Sequence, residues 1–170
     1  HTMSPIIALV PALLTFAVVP FGGQYTLFDT EVNLVISDLD VGLLFVFAIA
    51  SLATYGYVIA GWSSNNNWSL LGSMRTASQM ISYEVTMGLT IIGVLMVYES
   101  MKLTEIGAIQ ENFWMWGIFL QPLGFIMFLT ASIAENKRIP FDAPEAESEL
   151  VAGYFTEYSG LKFGMFFMAE

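Results

Sequence analysis

Two glutamates and one acidic run are the residues of this sequence best placed to do chemistry. Glu84 lies in Ser82-Tyr83-Glu84-Val85, inside an apolar stretch and with no basic residue within a turn of it. An ionised carboxylate at membrane depth is expensive unless a partner or water reaches it, so such a group is by default a candidate for a proton or ion path. The plainer alternative is a carboxyl near the interface that bonds to a Tyr or Ser on a neighbouring helix. Glu170 follows Phe166-Phe167-Met168-Ala169, well inside another apolar stretch, and raises the same question.

The acidic run places Glu135, Asp142, Glu145, Glu147, Glu149 and Glu157 in one segment, with no Lys or Arg between Asp142 and Glu157. Pro144 suits the first turn of a helix and Gly153 its end. Glu145 and Glu147 then sit where the helix dipole favours anions. Glu145 and Glu149, one turn apart, repel each other. Solvated, this is a surface helix. Buried at a membrane mouth, these carboxylates cannot all stay ionised and exchange protons as a coupled set. Arg138 is the nearby guanidinium able to bridge two carboxylates. Just beyond, Phe163, Phe166 and Phe167, with Met165 and Met168, can line a slot for an isoprenoid-tailed quinone. The same side chains can equally face lipid or pack on a helix.

The elements that must position these groups are membrane helices. Of 170 residues, 56% are hydrophobic and 12% charged, about half the roughly 25% charge of a soluble domain. Mean hydropathy is +0.67. These values exclude a nucleic-acid binder, a disordered tail and an ordinary soluble enzyme. Acidic residues number 15 against 5 basic, for a net charge of −10, so no basic footprint for phosphates exists. Cysteine is absent and the one histidine is His1, which leaves no thiolate metal site and no His-based triad.

The expected fold class is an all-α membrane protein: a single membrane domain over 1–170, a multi-helix transmembrane bundle of four spans plus a truncated fifth. A hydrocarbon core of about 30 Å needs about 20 apolar residues. The spans read as 5–21, 41–61, 79–98, 113–134 and 160–170, with the acidic loop at 135–159. Pro11 should bend the first, and Gln121-Pro122 should kink the fourth. Gly56 and Ala60 form a small-xxx-small pair suited to close helix contact. The first run is no signal peptide, since no basic region precedes it and prolines interrupt it. The apolar runs at both ends read as those of a piece cut from a longer chain.

Alternation puts loops 22–40 and 99–112 on one side and loops 62–78 and 135–159 on the other. Lys102 lies on the first side; Arg75, Lys137, Arg138 and Lys162 lie on or next to the second. The positive-inside rule assigns the second side to the cytoplasm or matrix.

The segment from Ala134-Glu135-Asn136-Lys137-Arg138-Ile139-Pro140-Phe141-Asp142-Ala143-Pro144-Glu145 to Glu157-Tyr158-Ser159-Gly160 closely resembles the signature loop of the H-type membrane subunits of NADH-quinone oxidoreductase, the family of subunit 1 of respiratory complex I. Gly72-Ser73-Met74-Arg75-Thr76-Ala77-Ser78-Gln79-Met80-Ile81-Ser82-Tyr83-Glu84 resembles the family's other signature, and Phe163-Gly164-Met165-Phe166-Phe167-Met168-Ala169-Glu170 the start of its next helix. The likeness covers essentially the whole chain, in order, from the second to the sixth of about eight helices.

The resemblance implies a membrane subunit that walls part of a quinone tunnel and links quinone reduction to proton translocation. It implies no complete active site in this chain alone. Arg138, Phe163, Phe166 and Phe167 would belong to the quinone cavity. Glu84, Glu135, Asp142, Glu145, Glu147, Glu149, Glu157 and Glu170 would form the proton relay. Quinone is the implied substrate; FMN, iron–sulfur clusters and NADH belong to partner subunits. Implied partners are the peripheral-arm subunits of the quinone site, small membrane subunits and the bilayer. The acidic first loop favours a bacterial inner membrane over a mitochondrial one. Two alternatives remain open: the membrane subunit of a related energy-converting hydrogenase-type complex, and an unrelated secondary transporter with Pro11 and Gln121-Pro122 as broken-helix markers.

Overall fold

A computed structural model of the chain describes residues 1–22, 24–27, 30–138, 140–141 and 153–169; for 24–27, 30–33 and 155 only the backbone is described. The helices are α1 (Met3–Thr15), α2 (Gly42–Ser63), α3 (Asn67–Tyr98), α4 (Leu103–Ile109), α5 (Gly117–Leu120), α6 (Pro122–Glu135) and α7 (Leu161–Ala169). Single 3-10 turns stand at Phe113–Met115 and Gly153–Phe155. Among the described residues, α2 and α3 are long and apolar enough to cross a membrane, and α1 and α6 are shorter apolar helices.

The helical class holds with one addition. Inside the expected first loop, β1 (Gln24–Leu27) and β2 (Thr30–Asn33) form an antiparallel hairpin, Leu27 opposite Thr30 and Gln24 opposite Asn33.

Two boundaries differ from the hydropathy reading. The first helix stops at Thr15, not near residue 21. Pro20 disfavours helix in the residue before it, and Ala17 turns its carbonyl to accept from Ser37 N (2.9 Å) in the first loop. Pro11, by contrast, lies within α1 and does not end it.

The third helix begins at Asn67 rather than 79, so most of the expected loop 62–78 is helix. Hydropathy marks only the apolar part. The added turns carry Ser69, Ser73 and Thr76, all buried; Ser73 and Thr76 return their hydroxyls to the helix, on Leu70 O (2.8 Å) and Gly72 O (2.9 Å). Asn66 caps the start by accepting from Trp68 N at 3.0 Å. At 1.5 Å per residue α3 runs about 48 Å, well past a core of about 30 Å.

The apolar run expected as a fourth span is broken at Gln121-Pro122. Pro122 has no N–H, so the Ile118 carbonyl loses its helical donor. Gln121 lies between α5 and α6 with φ −138°, and its side chain donates to Gly93 O of α3 at 2.6 Å. The break and α3 bound a groove of about 450 Å³ lined in part by Thr90, Val94, Trp116, Gln121 and Phe125.

In packing, α1 lies on α2, α2 on α3, α3 on α6, and α7 returns to α1. Small residues let the first pair approach: a Cβ on Gly56 would sit 2.7 Å from Ala8 N, and Ser4 donates to Gly56 O at 2.8 Å. The core cluster joins Ala8, Ala53, Tyr57, Ala60, Met80, Tyr154, Tyr158 and Phe166.

Contacts join neighbouring loops at each end of the bundle. Lys102 pairs with Asp38 at 3.0 Å and Asp40 at 3.6 Å, and Thr104 donates to Asp38 at 3.0 Å, tying the first loop to the one after α3. The Asp38 bond and charge hold the Lys102 ammonium above its usual pKa. At the other end Ser63 Oγ lies 3.1 Å from Tyr158 Oη, and Gly72 abuts Gly153.

Candidate functional site

The site lies at the end of the bundle where α6 gives way to the acidic loop. The chain leaves α6 through a Schellman turn. Lys137 N–H bonds Ala134 O (3.2 Å), Arg138 N–H bonds Ile133 O (3.3 Å), and Lys137 takes the left-handed conformation at φ 52°. Glycine is the usual residue there, and a side chain costs about 1–2 kcal/mol.

Lys137 is 3% exposed. Its ammonium donates to Tyr154 Oη at 2.6 Å and lies 3.9 Å from the centre of the Tyr57 ring and 5.0 Å from that of Tyr154. Ring faces carry partial negative charge and attract a cation, more strongly when water is excluded. Tyr57 and Tyr154 meet edge to face at 5.0 Å, and Phe166 packs on both at 5.8 and 5.6 Å.

Helix α3 holds both flanks of the loop. Gln79 Nε2 donates to Ala134 O and Phe141 O, each at 2.7 Å. Those two bonds use both amide protons, fixing the start of the loop on either side of its turn. Tyr83, one turn on, meets the Phe141 ring at 5.7 Å. On the return, a Cβ on Gly72 would lie 2.8 Å from Gly153 Cα. Gly153, at φ 54°, supplies the left-handed bend there.

Glu84 faces α2, where the Ser51 hydroxyl donates to its Oε1; the same hydroxyl lies 2.9 Å from Phe47 O. Both residues line a groove of about 490 Å³ with Leu44, Phe47, Gly88 and Ile92. A carboxyl bound by a hydroxyl from the next helix matches the plainer alternative in its contacts, and it does so at the wall of a largely apolar groove.

Glu135 stands just past the apolar run 113–134. Its carboxyl pKa is pushed up to about 7, first by burial and then by repulsion from Glu84. It lines a cavity of about 240 Å³ with Thr15, Ala53, Tyr57, Met80 and Lys137. A cavity of this size has room for several waters at about 30 Å³ each. The arrangement can therefore hold a proton on Glu135 near neutral pH, in a cavity it shares with Lys137.

The remaining expected site residues fall as follows. Arg138 is exposed, its guanidinium 5.5 Å from the Phe167 ring. Phe163 and Phe167 are exposed, whereas Phe166 is fully buried in the aromatic cluster. Glu157 is exposed. Asp142, Glu145, Glu147, Glu149 and Glu170 lie outside the described residues, as does the helix expected from Pro144.

Sequence reasoning missed Lys137, Tyr57, Tyr154, Gln79 and Ser51 as members of the site. Lys137 was legible only as a basic residue on the inner side. A polar Ser51 within an apolar span, and Gln79 at the edge of one, were the available signals.

The fold is a helical bundle in which α2 and α3 are long and apolar enough to cross a membrane. The sequence model of the NADH dehydrogenase family matches residues 1–170, and the chain belongs to that family. It is 53% identical over 99% of its length to an H-type NADH-quinone oxidoreductase subunit of Geobacter metallireducens, covering 50% of that protein. It is 51% identical over 99% of its length to the corresponding protein of Geobacter sulfurreducens, covering 50%. With that of Koribacter versatilis identity is 47% over the whole chain and 52% of the relative. The chain thus spans about half the length of the curated relatives it matches.

Proposed function

We propose that this chain forms part of the membrane subunit of a proton-translocating NADH:quinone oxidoreductase in a bacterial inner membrane. Relatives about 50% identical are named as H-type subunits of NADH-quinone oxidoreductase, and apolar helices α2 and α3 suit a bilayer. The full reading is four spans and the start of a fifth, with the acidic loop on the cytoplasmic side. The partners are the peripheral-arm subunits at the quinone site and small membrane subunits.

Electrons from NADH would pass through FMN and iron–sulfur clusters held by those partners. This chain has no cysteine to ligate a cluster. Quinone takes two electrons and two protons to become quinol. Arg138, Phe163, Phe166 and Phe167 would contribute to the wall of its cavity. Charge arriving on quinone perturbs nearby carboxyls by Coulomb interaction in low dielectric. Glu135, Asp142, Glu145, Glu147, Glu149 and Glu157 would respond first, and Glu84 and Glu170 would carry the proton inward.

The observation that carries this reading is the placement of two carboxyls on different helices at cavities: Glu84 accepts from Ser51 of α2 beside one groove, and Glu135 lines a second with Lys137. Glu84→Gln in the parent complex, reconstituted in vesicles, tests it. The expected result is slower coupled quinone reduction and less proton uptake per electron. Unchanged rate and stoichiometry would sink the relay.

A further inference from the structure

We infer that Lys137 is a positioning residue: its ammonium ties the two flanks of the acidic loop to α2. The inference rests on the proposed function for its catalytic consequence and on geometry for the tie itself. Lys137 opens the segment, Tyr154 closes it, and Tyr57 belongs to α2. The Lys137 ammonium reaches both tyrosines, donating to Tyr154 Oη at 2.6 Å and standing 3.9 Å from the Tyr57 ring centre.

Backbone and burial both argue that the side chain is there for this purpose. Position 137 ends α6 in the left-handed region, at φ 52°. Glycine would end the helix with less strain. An ammonium is also costly to bury unless it is hydrogen-bonded and faced by negative charge. Two penalties fall on one residue, and the tyrosine contacts act against both. An unusual conformation held by its surroundings is where a functional constraint is expected. Glu135, two residues earlier, lines the same cavity as Lys137 and Tyr57, so the tie also fixes where that carboxyl stands.

The test uses hydrogen–deuterium exchange on the full parent protein in its assembled complex, in lipid nanodiscs. Lys137→Gly relieves the backbone and deletes the ammonium. Lys137→Met keeps the bulk and deletes the charge. Lys137→Arg keeps cation and donor. Losing a buried charged hydrogen bond should speed exchange across residues 153–158 about tenfold or more in the Gly and Met variants. Arg should restore most of the protection. Tyr154→Phe should match Met, and the Met and Phe changes should not add when combined.

Exchange unchanged or slower in Lys137→Gly would overturn the tie, leaving Lys137 a poor helix terminator. Faster exchange with unaltered kcat and KM for quinone would overturn the positioning role, since the tie would then serve the fold alone. A parent complex without quinone reductase activity would sink the proposed function while the exchange comparison still stood.

Discussion

Replacing Gly72 by alanine puts the junction between α3 and the returning loop under direct test. The added Cβ would meet Gly153 Cα at 2.8 Å, Gly153 C at 3.1 Å and Tyr154 N at 3.2 Å. All three are backbone atoms, which cannot swing aside as a side chain can. Carbon atoms rest comfortably at about 3.5–4.0 Å, so the returning strand must retreat by about 0.7 Å or more. Overpacking of this kind costs about 1–3 kcal/mol. Alanine also improves an α-helix over glycine by about 0.8–1 kcal/mol, so the net loss is about 0–2 kcal/mol. Gly107 in α4 has nothing within 4 Å of its would-be Cβ and supplies the control. Gly107→Ala should keep the propensity gain without the clash. The difference between the two variants therefore isolates the contact, at about 1–3 kcal/mol. Thermal unfolding of the parent protein in nanodiscs reads it, with quinone turnover alongside. If Gly72→Ala is as stable as Gly107→Ala, the backbones are not in contact and the description of the loop base is wrong.

The Glu135→Gln substitution should stabilise the folded protein at pH 8 and leave it nearly unchanged at pH 4. The folded carboxyl is raised from 4.5 to about 7, so the folded state holds a proton the unfolded chain releases. Wild-type stability then falls as pH rises from about 4.5 through 7 and stays flat above. The full shift corresponds to about 3 kcal/mol; partial solvent access reduces the expected gain to about 1–2 kcal/mol. Melting temperatures across that range check it, and a pH-independent difference refutes it. Gln121→Leu should remove the 2.6 Å bond to Gly93 O and cost about 0.6–2 kcal/mol. Equal stability in bilayer unfolding would mean that the helix break holds itself.

Much of the bundle was legible because lipid imposes a simple rule, that a span is an apolar run of fixed length. That rule found α2 with its ends nearly right and foresaw the break at Gln121-Pro122. It failed on α3, because Ser69, Ser73 and Thr76 are polar in composition but buried in placement. A serine that bonds its own helix behaves as a small packing residue, and hydropathy does not register that. Gly61 shows the same limit from the other side: a Cβ there would reach within 2.7 Å of Ser69 O. No local pattern in either helix announces that these two positions meet.

The candidate site divides along the same line. Glu84 and Glu135 were visible because a carboxyl in or beside an apolar run is costly and therefore conspicuous. Lys137, Tyr57 and Tyr154 were not, since each is ordinary in its own neighbourhood and becomes unusual only when folding brings two distant tyrosines to the Lys137 ammonium. Along α3 these separate facts acquire one frame. Gly72, Gln79, Glu84 and Gly93 contact, in order, the returning loop, the departing loop, α2 and the broken helix. Gly72 and Glu84 are about 18 Å apart along the helix axis. A continuous helix transmits displacement along its length because its backbone bonds resist stretching. A displacement at the loop base that altered the Glu84–Ser51 contact would have α3 as a continuous path between them. An activity change on Gly72→Ala that vanished in a Glu84→Gln background would be the signature of that path.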